Sequence, residues 1–89
     1  MPYMIIRHAV EDFDAWKAKY VAHQPARQQA ALHEMLLLRD VDDPNEITLV
    51  FKAGDLEAAR SFAESADLRE RMQQAGVVGE PQFWLMDEA

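Results

Sequence analysis

Leu32-His33-Glu34-Met35-Leu36-Leu37-Leu38-Arg39 and Ile47-Thr48-Leu49-Val50-Phe51-Lys52-Ala53, joined through Val41-Asp42-Asp43-Pro44-Asn45-Glu46, decide the fold. Proline fixes φ for a tight turn, and Asp and Asn bond their own backbone nearby. The two apolar runs are therefore strands of a hairpin, antiparallel to each other. Leu36 and Leu38 alternate with Met35 and Leu37, so both faces of the first run are apolar. Working outward, Tyr3–Ala9 and Gln82–Met86 read as two more strands of the same kind. Tyr3 and Ile5 alternate with Met4 and Ile6, and Phe83-Trp84-Leu85-Met86 is apolar in both directions. A sheet with two apolar faces needs cover on both. The segments between the strands supply helices for one face, so a second copy of the chain is expected on the other.

Asp12 is placed to cap the first helix, its carboxylate accepting from free backbone N–H groups. At 100° per residue, Phe13, Trp16, Tyr20, His23, Gln24 and Arg27 fall on one stripe. Pro25 interrupts the stripe, which predicts a kink or a restart with Pro25 as the first residue of a second segment. Asp55 caps a helix to about Glu64, with Leu56, Ala59, Phe62 and Ala63 inward. Ser65 or Asp67 caps a short helix over Leu68–Ala75 that packs Leu68 and Met72, and Gly76 ends it as a left-handed cap. Gly79-Glu80-Pro81 is expected to turn the chain into the last strand. The order is βαββαβ: an α+β, ferredoxin-like, four-stranded antiparallel sheet with helices on one face.

Composition narrows the function. The 89 residues make one domain, residues 1–89, with no repeat, linker or low-complexity tract. A core this small gains from oligomerisation. Without cysteine there is neither a disulfide framework nor a thiolate metal site. Nine basic against 16 acidic residues leave a net charge of −7, which argues against nucleic-acid backbones as partners. No run is apolar enough to span a bilayer, and no secretory signal is visible, so a cytoplasmic protein is expected.

Four stretches resemble a known group. They are Arg7-His8-…-Asp12-Phe13-…-Trp16-Lys17, His23-…-Arg27, Arg39-Asp40-…-Asp42-Asp43-Pro44-Asn45-Glu46, and Ser65-Ala66-Asp67-Leu68-Arg69-Glu70-…-Met72-…-Ala75-Gly76-Val77. On these the chain is similar to small bacterial antibiotic biosynthesis monooxygenase-like proteins of the dimeric α+β barrel superfamily. The resemblance implies a homodimer whose two sheets form a barrel, with a pocket in each subunit between sheet and helices. In the cofactor-independent oxygenases of that group, a phenolic or polycyclic substrate itself reduces oxygen among Trp, Asn, Arg and Tyr side chains. This chain offers Trp16, Tyr20 and Arg27, while its asparagine, Asn45, sits in the hairpin turn. The axial-His set of the haem-degrading branch has no match here.

The residues themselves point to His23 and Arg27, one helical turn apart on the stripe of Phe13, Trp16 and Tyr20. Polar groups on a core-facing stripe need partners or a solvated cavity. In a pocket, His23 is a general acid or base and Arg27 holds an anionic or enolate oxygen through its planar fork. The competing reading sends both side chains to solvent at the domain edge. His8 ends the first strand on a face that alternation leaves open; the resemblance includes the Arg7-His8 pair and so puts His8 in the pocket as a second proton carrier. Trp16, Tyr20 and Phe13 would line the substrate site or simply fill the core. His33 and Glu34 point to opposite faces of a strand and cannot share a metal, and no His-Glu-x-x-His spacing exists. Glu57, Arg60 and Glu64 read as a solvated helix face. The expectation is a small enzyme for an apolar, aromatic or enolisable molecule, working without metal, flavin or other cofactor by proton transfer or cofactor-independent oxygenation. The alternative is a homodimeric binding or structural domain without catalysis.

Overall fold

In the computed structural model, which describes residues 1–89, the chain runs β1 (Tyr3–Val10), α1 (Phe13–Ala22), α2 (Gln24–Gln29), β2 (Leu32–Arg39), β3 (Glu46–Ala53), α3 (Leu56–Glu64), α4 (Ala66–Gln74), β4 (Val77–Met86). The four strands form one antiparallel sheet in the order β2-β3-β1-β4, the ferredoxin-like arrangement expected from the βαββαβ order. Side chains alternate across a strand, and the burial of β1 and β3 alternates with them. Met4, Ile6, Ile47, Leu49, Phe51 and Ala53 are buried on the helix-covered face with Trp16, Leu32 and Ala59. Burying side chains such as Met4, Ile47 and Phe51 contributes about 1.5–3 kcal/mol each.

The other face is a cross-strand row of apolar groups. Leu36 pairs with Val50, Val50 with Ile5, and Ile5 with Trp84. Leu36 is 52% exposed and Trp84 38%. Leu36 reaches this row because β2 slips register between Glu34 and Leu36. Strict alternation from buried Leu32 would have turned Leu36 inward; the extra residue resets the phase, sending Leu37 in and Leu36 and Leu38 out.

The helix ends follow local chemistry. Asp12 accepts from Ala15 N at 3.2 Å, and Asp55 from Glu57 and Ala58 N. Ser65, not Asp67, caps α4, its Oγ accepting from Leu68 N at 3.1 Å, so α4 begins at Ala66 rather than Leu68. Gly76 takes φ +87° after α4, the left-handed cap expected there. At Pro25 the helix restarts, with Gln24 first and Pro25 second, where the missing N–H removes no helical bond.

Two further expectations need correction. Leu56 is 37% exposed and does not join Ala59, Phe62 and Ala63 against the core, because it opens the first turn of α3 at the domain edge. The last strand starts at Val77 rather than Gln82. Because β1 extends to Val10, Val77 and Val78 find pairing partners in Val10 and Ala9. Gly79-Glu80-Pro81 is thus a bulge inside β4, where Gly79 at φ +71° supplies the left-handed conformation.

Candidate functional site

The sheet, α1, α2, α3 and α4 enclose a partly open cavity of about 260 Å³. Of the sequence-derived candidates, His8, Trp16, Tyr20, His23 and Arg27 line it. Phe13 does not. It lies behind Trp16, tilted at 5.8 Å between ring centroids, under the Arg39 guanidinium at 3.8 Å.

His8 projects from β1 to the helix-covered face with 3% exposure, which answers the question of its face. It stands where the β1–β4 register slips between Arg7 and Ala9, opposite the β4 bulge. Bulges of this kind re-aim side chains or open pairing beside functional sites. The imidazole meets Trp16 edge-on at 5.5 Å, and its Nδ1 is buried without a hydrogen-bond partner. Burial pushes its pKa down to about 4, since a desolvated imidazole resists charge.

Trp16, Tyr20 and Arg27 form a three-layer stack. The Trp16 and Tyr20 rings lie 4.8 Å apart, and the Arg27 guanidinium sits 3.7 Å from the Tyr20 centroid on the cavity wall. Arg27 Nη1 donates to Tyr20 O at 2.8 Å, a bond from α2 back to α1 that spans the break at Pro25. The restart therefore does not turn Arg27 away. Arg27 is only 8% exposed, and its remaining donors carry no hydrogen bond to protein. Tyr20 donates its hydroxyl to Glu34 Oε1 at 2.6 Å. Burial first, then that carboxylate, raise the phenol pKa well above its usual value, so the hydroxyl stays protonated.

His23 stacks on Phe62 of α3 at 6.2 Å. Its Nε2 is buried without a hydrogen bond; Asp67 Oδ2 is 3.8 Å away, too far for one. Burial lowers the His23 pKa, and Arg71 and Arg27 lower it further against the opposing pull of Asp67. Proximity to Asp67 thus makes no ion pair at neutral pH, because the imidazole is uncharged there. The cavity holds two neutral imidazoles beside a fixed guanidinium. That set accepts a proton and stabilises the anion left behind. No group of three or more His, Asp or Glu side chains gathers as a metal site requires. Asn45 is outside the cavity, donating Nδ2 to Glu11 O at 3.4 Å.

The wall from α3 and α4, including Phe62, Leu68, Arg71 and Met72, was less legible from the sequence. The sequence assigns Leu68 and Met72 to packing. Arg71, three positions after Leu68, shares their helix face, and that spacing was the available signal.

No protein-family model matches this sequence, and no curated protein matches it. Solved structures do share its fold. A protein of Bordetella bronchiseptica, provisionally named an antibiotic biosynthesis monooxygenase, is 20% identical over 99% of this chain and 96% of its own, with a TM-score of 0.76. SnoaB, a cofactor-independent oxygenase from Streptomyces nogalater, is 13% identical over 99% of this chain and 94% of its own, with a TM-score of 0.68. A similarly named Nitrosomonas europaea protein is 18% identical over 99% of this chain and 98% of its own, at a TM-score of 0.60. The chain has the fold of the antibiotic biosynthesis monooxygenase-like proteins, as the resemblance implied. Identities this low carry the fold and leave activity to be argued from the site.

Proposed function

We propose that this chain is a small-molecule enzyme of the antibiotic biosynthesis monooxygenase-like kind, acting on an aromatic or enolisable substrate by proton transfer or by cofactor-independent oxygenation. The observation that carries this reading is that His8 Nδ1 and His23 Nε2, both buried and unpartnered, belong to rings lining one cavity with Arg27. A buried polar atom without a partner is costly, and a ligand that supplies the partner relieves it. In this reading His23 takes a proton from a carbon next to a carbonyl, Arg27 holds the enolate oxygen, and His8 serves as second proton carrier. Returning the proton to another atom completes an isomerisation; in an oxygenation the enolate reduces molecular oxygen and its carbon forms a C–O bond to a peroxide, which takes the proton back and loses water as the O–O bond breaks, leaving a new carbonyl. Trp16 and Tyr20 form the wall against which the ring lies.

A pure binder would engage its imidazoles with protein groups, and a structural domain would fill the helix–sheet space; the unpartnered nitrogens and the cavity favour the enzyme instead. The outward apolar row Leu36–Val50–Ile5–Trp84, exposed at Leu36 and Trp84, supports a homodimer through the open sheet face. Exchange of the C1 protons of 2-tetralone in D₂O, followed by NMR together with oxygen uptake, tests the chemistry. His23→Ala is expected to slow catalysed exchange by about 10²-fold or more. Equal rates in the two proteins would overturn the role of His23.

A further inference from the structure

The cavity is cationic inside an acidic protein. The chain has 9 Lys and Arg residues, of which Lys19, Arg27 and Arg71 line the cavity, and no Asp or Glu lines it. The two imidazoles add hydrogen-bonding capacity but no charge. Depth separates the three cations. Arg27 is buried under Tyr20, whereas Lys19 and Arg71 are exposed and stand at the mouth. Two carboxylates stand beside the lining, each taken up by a lining residue. Glu34 accepts the Tyr20 hydroxyl, and Asp67 accepts from Arg71 Nε at 3.1 Å, leaving the two Nη groups of Arg71 without a protein partner.

From this we infer the class of substrate: a small organic carboxylate whose anionic group is held at the cavity mouth between Lys19 and Arg71, with its ring against Trp16 and Tyr20. The inference rests on reading the cavity as the substrate site. A guanidinium and an ammonium among the lining residues match a carboxylate; no carboxylate is in the lining, and the nearby Asp67 is taken up by Arg71 Nε, leaving the Nη groups free for the ligand. With a net charge of −7, the remaining surface repels anions, so the cationic opening also directs them to one place. The volume of about 260 Å³, just below the ~300–1,000 Å³ range of ligand pockets, suits one or two rings.

Isothermal titration of the full chain at low salt with 1-naphthoate and its neutral isostere 1-naphthamide tests this. The carboxylate is expected to bind about ten-fold tighter, the effect of two partly exposed charge contacts. In Lys19→Gln/Arg71→Gln the preference is expected to vanish while 1-naphthamide binds as before; both positions are exposed, so the fold survives. Equal affinities in the unaltered protein would overturn the carboxylate inference and leave the cavity as a substrate site. Binding of neither probe would overturn both. A preference that persists in the double variant would overturn the roles of Lys19 and Arg71.

Discussion

The Arg27 guanidinium lies 3.7 Å from the centroid of the Tyr20 ring while its Nη1 donates to the carbonyl oxygen of Tyr20 itself. One residue thus presents both a π face and a backbone acceptor to the same cation. This double contact ties α2 to α1 across Pro25 and holds the guanidinium at the cavity. Replacing Arg27 with Lys keeps the charge but loses the planar stack and the fixed fork. Arg27→Lys is expected to lower stability by about 1–2 kcal/mol, or about 4–16 °C in Tm for a domain of this size. A thermal melt checks it, and an unchanged Tm would mean the stack holds nothing together.

His8 makes stability depend on pH. Its folded pKa of about 4 lies below the ordinary histidine value of 6.5, so between them the unfolded chain binds the proton and the folded chain does not. This contribution is fully present above pH ~6.5 and is lost as pH falls through ~4. It amounts to about 3 kcal/mol at most. Denaturation of the native chain and of His8→Gln across that window is expected to show a steeper acid loss in the native chain. Parallel profiles would place the His8 proton equilibrium near its ordinary value.

Ala31, between α2 and β2, takes φ +58°, a left-handed conformation that a side chain resists. Its carbonyl accepts from Gly54 N at 2.8 Å, which holds the turn in place. Ala31→Gly removes the steric strain but loosens the unfolded chain. The balance is expected to favour the glycine by up to about 1 kcal/mol, read as a rise in the urea midpoint at constant m. Gly54→Ala should go the other way, because its new Cβ would lie 3.3 Å from Ala31 Cβ.

The outer row makes a prediction about mass. Light scattering at micromolar concentration is expected to give twice the 10.2 kDa chain mass, and Trp84→Lys about the single-chain value. A charge at the β4 end of a buried apolar row is costly, and an exposed Lys at the same place is not. A native chain that already scatters as a monomer would remove the homodimer from the proposed function.

The βαββαβ order, the hairpin, the caps at Asp12 and Asp55, and the stripe from Trp16 to Arg27 were all set by the sequence itself. These depend on forces that act within a few residues: φ limits at proline, side-chain oxygens near free N–H groups, and helical periodicity. What the tertiary structure alone decided is how distant segments meet. The face of His8 follows from pairing with β3, and its unpartnered surroundings from the packing of Trp16 and the helices over that face. The outward turn of Leu36 follows from a slipped register that alternation cannot reveal. Arg71 reached the cavity because α4 packs across from α1, bringing it near His23, 48 positions earlier in the chain. Such contacts carry no local period, so the second wall of the site and its positive charge became visible only once the chain was folded.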